Sequence, residues 1–84
     1  MIEEVRLPKI SEGIETAEII RVLVGVGDLV KVEQSIMEME TEKATFELPS
    51  PVEGKVTEIS VKEGQTLKVG ELILKVDTQG KGRF

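Results

Sequence analysis

An internal duplication restricts the fold more than any other feature of the sequence. Sliding the chain over itself by 37 residues places Ile19, Val22, Val24, Gly27, Val30, Lys31, Val32, Ile36, Met37, Met39 and Thr41 over Val56, Ile59, Val61, Gly64, Leu67, Lys68, Val69, Ile73, Leu74, Val76 and Thr78. An offset of 41 lays Val5-Arg6-Leu7-Pro8 over Phe46-Glu47-Leu48-Pro49. The offsets differ by four residues, and the difference falls between Pro8 and Ile19. The chain therefore reads as two copies of one unit, the first with the longer loop.

Each copy reads as four short strands. In the first they cover residues 2–8, 17–26, 29–32 and 36–41; in the second, 44–48, 54–61, 66–69 and 72–76. Between them lie the turn signals Gly27-Asp28, Glu33-Gln34-Ser35, Glu63-Gly64-Gln65 and Gly70-Glu71. Pro49-Ser50-Pro51 cannot donate to a ladder and interrupts the second copy at its start. Residues 17–26 carry apolar side chains on both parities, which predicts a strand crossing from one layer to another. With only Phe46 and Phe84 aromatic, the core must be built from Val, Ile, Leu and Met, and the β-branched majority suits pleated sheet. A four-strand unit has an apolar face that cannot be left in water, so the two units are expected to pack face to face. The predicted fold is all-β: a flattened eight-strand barrel or sandwich of two four-stranded antiparallel sheets with quasi-two-fold symmetry. It occupies residues 1–77 as one domain, with 78–84 the start of a linker or an appended tail.

Between the copies lies the stretch Ile36 to Leu48, which reads as a hairpin. With Glu42 and Lys43 as a two-residue loop, Thr41 pairs with Ala44, Glu40 with Thr45, Met39 with Phe46, Glu38 with Glu47 and Met37 with Leu48. Apolar residues then meet on one face, and a slip of one residue would separate Met39 from Phe46. The like-charged pair Glu38 and Glu47 is mildly unfavourable. Neither Glu42 nor Lys43 is comfortable at positive φ, so type I is expected rather than a primed turn. The place matching this turn in the second copy lies past Thr78, so the lysine and the chain's exit should occupy opposite ends. The loop 9–16 is expected near the lysine end.

Charge and composition remove several functions. A net charge of −5 and no basic patch argue against nucleic acid and against an anionic membrane surface. The absence of cysteine and histidine excludes disulfides, thiolate chemistry and the common zinc sites, and no metal ligand set is expected. No apolar run approaches the roughly 18 residues of a membrane span, and the first residues lack a signal-peptide pattern, so a soluble intracellular protein is expected. Gly25-Val26-Gly27 has no third glycine and no following helix, and is a turn pair rather than a phosphate cradle. Glu38, Glu40, Glu42, Glu47 and Glu53 read first as a solvated acidic face. No catalytic residue is expected. An exposed lysine is ordinarily mere decoration, but a tight turn placed between two repeats gives this one a purpose. Its stem is long and flexible, and its amine can be acylated.

Glu40-Thr41-Glu42-Lys43-Ala44, followed by Phe46-Glu47-Leu48-Pro49-Ser50-Pro51 and Gly54, resembles the lipoyl domains of the acyltransferase component of 2-oxo acid dehydrogenase complexes. The likeness runs from about Glu4 to Asp77, includes Gly27-Asp28 and Val32-Glu33-Gln34, and is greatest to the pyruvate complex. Glu42 stands where the family usually has Asp, which keeps the charge on a longer stem. The resemblance implies that Lys43 carries lipoic acid in amide linkage. It also implies that Glu40, Thr41, Glu42 and Ala44 form the turn that partner enzymes recognise. The implied partners are a thiamine-diphosphate 2-oxo acid dehydrogenase, a dihydrolipoamide dehydrogenase, the acyltransferase catalytic domain and a lipoate ligase. The fragment would then be a monomeric, non-catalytic carrier of acyl groups and reducing equivalents, its parent an acyltransferase. The compartment would be bacterial cytoplasm or, in a eukaryote, the mitochondrial matrix. A biotin carrier has a similar fold but methionines on both sides of its lysine, where this chain has Glu42 and Ala44. A glycine-cleavage carrier is longer, with added helices. An unmodified β-sandwich adaptor is the alternative from a different class.

Overall fold

The computed structural model describes residues 1–78, and the regular elements among them are all strands. They are β1 Ile2–Arg6, β2 Thr16–Val22, β3 Leu29–Val30, β4 Ser35–Glu40, β5 Thr45–Pro49, β6 Gly54–Ile59, β7 Thr66–Lys68 and β8 Leu72–Asp77. Two four-stranded sheets result, in the orders β1-β8-β6-β3 and β5-β4-β2-β7, and their ladders are antiparallel. Replacing each strand of one order by its counterpart in the other copy yields the second order. The duplication in sequence is thus a quasi-two-fold relation between sheets.

The copies are not themselves the layers. Each sheet takes two strands from each half, so β1 and β3 pair with β8 and β6 of the second copy. Every strand is apolar on its inner face, and that pattern says nothing about which strand lies beside it. The crossing expected within 17–26 is made by the loop after β2 and not by a strand. β2 ends at Val22 and stays in one sheet; Leu23 N–H still bonds the Ile36 carbonyl of β4 at 3.0 Å, and Gly27 N–H then reaches the Val56 carbonyl of the other sheet at 2.8 Å. The mixed parity comes from a bulge at Ile20, between the pairs Ile19 with Met39 and Arg21 with Glu38.

The bulges repeat with the symmetry. In β4, Ile36 is the extra residue between the pairs Ser35 with Pro49 and Met37 with Leu48; in β8, Ile73 lies between Leu72, paired with Arg6, and Leu74, paired with Val5. A bulge lets successive residues face the same way, so Ile36 with Met37, and Ile73 with Leu74, are all fully buried. These ladders also correct the second offset. Leu74 lies 37 residues after Met37, whereas Leu48 lies 43 after Val5, so β1 and β5 correspond at 43 rather than 41 and the first loop is longer by six residues rather than four. A difference of two preserves both faces of a strand, and Pro8 meets a proline in either register, at Pro49 or at Pro51. The true counterpart of buried Leu7 is buried Ser50, whose hydroxyl donates to the Val52 carbonyl at 2.6 Å.

Four turns share one design. Asp28, Gln34, Gln65 and Glu71 each donate a backbone N–H to the carbonyl three residues back, at 3.0 to 3.2 Å. Each also accepts, through its side chain, the N–H of that same residue: Gly25, Lys31, Lys62 and Lys68, at 2.6 to 3.0 Å. The third position has positive φ, the mark of a type II turn: Gly27 at 97°, Glu33 at 74°, Gly64 at 88° and Gly70 at 96°. Val32 and Val69, matched as core-type positions in the repeat, fall at the exposed second position of two of these turns. Glu33 alone among the four has a Cβ, which strains the left-handed region by roughly 1–2 kcal/mol. Glu33→Gly is therefore expected to raise stability by about 0.5–1 kcal/mol, after the entropy glycine adds to the unfolded chain is subtracted. Urea denaturation measures it, and a loss of stability would contradict the strain argument.

The core lies between the sheets, where Ile19, Met39, Leu67, Leu74 and Val76 have no exposed surface. Burying such a side chain contributes about 1.5–3 kcal/mol. Phe46 is packed only partly against this cluster. The loop 9–16 is pinned: Ile14 is buried, its N–H bonds the Ser11 carbonyl at 3.1 Å, and Gly13 turns the chain at φ 81°.

Candidate functional site

The hairpin has the register its sequence predicts: Met37 pairs with Leu48, Glu38 with Glu47, Met39 with Phe46 and Glu40 with Thr45. The like-charged pair is relieved on both sides. The Ser35 hydroxyl donates to Glu47 at 2.6 Å, and Arg21 lies 4.0 Å from the Glu38 carboxylate. No described residue of the loop has positive φ, so the primed turn types are excluded. Thr41 N–H bonds the Ala44 carbonyl at 2.8 Å, closing the strands beneath Glu42 and Lys43.

Glu40, Glu42, Lys43 and Ala44 are exposed, and Thr41 is half-buried at the base of the turn. Among the described residues the Lys43 amine is in no ion pair, whereas Lys9 and Lys75 each engage a glutamate. The amine is free to be acylated. A ladder across the second sheet aligns Thr45, Glu40, Glu18 and Thr66, so the sheet carries two carboxylates below the lysine turn. Gly13, Ile14, Glu15 and Thr16 line a cavity together with Glu42, which brings the longer loop to the lysine end as its sequence position suggests.

The pair β1–β8 is the symmetry counterpart of β4–β5. Its last described partners, Ile2 with Asp77, correspond to Thr45 with Glu40, and beyond them Thr78 N–H bonds the Met1 carbonyl at 2.9 Å. A two-fold relation puts corresponding points on opposite sides of its axis. Met1 and Thr78 therefore close one end of the domain, and Lys43 projects from the other.

Comparisons with known proteins agree over most of the described chain. The biotin–lipoyl family model, described as "Biotin-requiring enzyme", matches residues 3–76. The solved lipoyl domain of the 2-oxoglutarate dehydrogenase complex from Azotobacter vinelandii superposes with a TM-score of 0.70 at 28% identity, covering 88% of this chain and 94% of that one. The chain belongs to the biotin–lipoyl family, as a lipoyl domain. Its relatives include the lipoamide acyltransferase component of the branched-chain alpha-keto acid dehydrogenase complex of Pseudomonas putida, 36% identical over 93% of this chain. Others are the dihydrolipoyllysine-residue acetyltransferase components of the pyruvate dehydrogenase complexes of Staphylococcus aureus and Mycoplasma capricolum, 42% and 40% identical over 88% of it. The chain spans only 17–18% of the length of these relatives.

The lipoyl domain is a carrier and not a catalyst, and its geometry suits that role. It offers an exposed amine on a two-strand arm, backed by a sheet whose inner face is buried. No helix among the described residues is long and apolar enough to cross a membrane. Thr78 is tied to Met1, and residues 79–84, the rest of the expected linker or tail, lie outside the described residues.

Proposed function

We propose that Lys43 is lipoylated on its side-chain amine. The domain then carries acyl groups and reducing equivalents between the active sites of a 2-oxo acid dehydrogenase complex, with pyruvate as the substrate. The observation that carries this reading is an exposed amine, unpaired among the described residues, at the tip of an in-register hairpin on the side of the domain away from Met1 and Thr78. Lipoic acid in amide linkage supplies a dithiolane that can be acylated and reduced. The chain's own residues supply presentation: the hairpin holds the lysine stem clear of the sheets, and a linker on the other side leaves the arm free to swing. Tethering of this kind sets local concentrations of the order of millimolar and replaces repeated diffusional encounters.

The partners follow from this reading. They are a thiamine-diphosphate 2-oxo acid dehydrogenase, a dihydrolipoamide dehydrogenase and the acyltransferase domain of the parent chain, with a lipoate ligase to load Lys43, all in a bacterial cytoplasm. Glu40, Glu42 and Ala44, with Thr41 at the base, form the surface these enzymes meet first. Pyruvate is favoured because the 42% and 40% identical relatives carry pyruvate complex names.

Co-expression with a lipoate ligase followed by intact-mass measurement tests the site. The expected result is one lipoyl increment on the wild type and none on Lys43→Arg, a loss of more than 95% of the modified species. A biotinyl increment would favour the biotin carrier, and an unmodified chain the adaptor. Offering the lipoylated domain to the dehydrogenases for pyruvate, branched-chain 2-oxo acids and 2-oxoglutarate then tests the substrate, with fastest reductive acylation expected from the pyruvate enzyme.

A further inference from the structure

Among the described residues, Thr41 does what its repeat partner Thr78 does, and one thing more. The backbone N–H and hydroxyl of Thr41 both donate to the Ala44 carbonyl, at 2.8 and 3.2 Å. Those of Thr78 both donate to the Met1 carbonyl, at 2.9 and 3.3 Å. Ala44 and Met1 hold equivalent places, each just outside the last ladder pair of its arm. The clamp is therefore part of the duplicated fold and has no special bearing on the lysine.

Among the described residues it is the Thr41 oxygen that also accepts hydrogen bonds, from the N–H groups of Lys43 and Ala44, both at 3.2 Å. In an ordinary four-residue turn the fourth N–H bonds the first carbonyl. Here the Ala44 N–H goes to the Thr41 hydroxyl, so a side chain does the work of the backbone bond and also holds the lysine's own amide. Glu42 and Lys43 carry neither glycine nor proline to fix the loop by themselves.

We infer that the Thr41 hydroxyl is a positioning residue, fixing the direction in which Lys43 leaves the turn and thereby how readily a modifying enzyme takes up its amine. This rests on the reading of Lys43 as the lipoylation site. A turn that adopts the competent shape only a fraction of the time is captured less tightly in proportion to that fraction, while the bound complex reacts as before. Losing the Thr41 oxygen should therefore raise KM for the domain and leave kcat alone. Two exposed hydrogen bonds correspond to about a tenfold effect.

The test uses the whole chain with purified lipoate ligase, ATP and lipoic acid. The lipoyl carboxylate attacks ATP to form its adenylate with release of pyrophosphate, and Lys43 Nζ then displaces AMP to form the amide, the amine proton going to solvent. Thr41→Val, Thr41→Ser and Thr78→Val are compared with wild type at a temperature where circular dichroism shows every variant folded. Thr41→Val is expected to raise KM about tenfold with kcat within twofold, and to speed amide hydrogen exchange at Lys43 and Ala44. Thr41→Ser should restore both. Thr78→Val loses the equivalent clamp and should lipoylate like wild type. A Thr41→Val domain with wild-type KM, or a Thr78→Val domain with KM raised as much, overturns the inference while leaving the lysine assignment standing. A wild-type domain that accepts no lipoyl group overturns that assignment and this inference together.

Discussion

Gly54→Ala is expected to cost the domain about 3 kcal/mol or more, a large fraction of the stability of a chain of this size. Gly54 is the first residue of β6 and is buried. A Cβ added there would lie 2.5 Å from the Asp77 carbonyl oxygen, 2.7 Å from Val76 Cγ1 and 3.0 Å from the Asp77 carbonyl carbon. Two of these atoms are backbone, and they belong to β8, the strand that joins β6 to β1. They cannot yield without opening the ladder in the middle of the sheet. The measurement is urea denaturation followed by far-ultraviolet circular dichroism. A midpoint within error of wild type would mean that the two backbones are not held in such close approach.

The second large effect is expected at the bulges. Ile36→Ala and Ile73→Ala should each lower stability by about 2–5 kcal/mol, the range for removing a fully buried aliphatic side chain and leaving a cavity. Both residues are the extra member of a bulge, so the backbone cannot shift to refill the space without losing the neighbouring pairs. Symmetry adds a sharper expectation: the two losses should agree to within about 1 kcal/mol, since each isoleucine faces the same set of strands in its half. Calorimetric unfolding of the two variants would show it. A cost below 1 kcal/mol at either site would mean that the bulge residue is not part of the core.

What the sequence made legible was mostly local. The hairpin register followed from Met37, Met39, Phe46 and Leu48 alone, because a strand's faces alternate and a slip of one residue would have exposed half of them. The exposed lysine at its tip, the turn positions and the all-β class followed from the same kind of reasoning. The offset of 41 shows the limit. A shift by two residues satisfies the alternation equally well, and Pro49 and Pro51 both accommodate Pro8. Hydrophobic pattern could not choose between them, whereas the ladder of β1 on β8 did.

Ser50 illustrates the same limit from the other side. By composition it belongs to a loop, yet it is fully buried at the place Leu7 holds in the other copy. Its N–H and carbonyl bond Gln34 and Glu33 at 2.8 Å, and its hydroxyl bonds Val52. A small polar residue can be buried when every polar atom has a partner, and two of those partners, Glu33 and Gln34, are 16 or so residues away along the chain.

The residues alone determined that this chain would be a duplicated β-domain with one lysine raised on a turn between its copies, since period-two patterning and turn chemistry act within a few residues of each other. The tertiary structure decided which strands share a sheet and that β6 and β8 approach so closely at Gly54. Those outcomes depend on pairings between segments far apart in the chain. Only β4 and β5 are neighbours both in sequence and in a sheet, and that hairpin is the one pairing a reader of the sequence could align residue by residue.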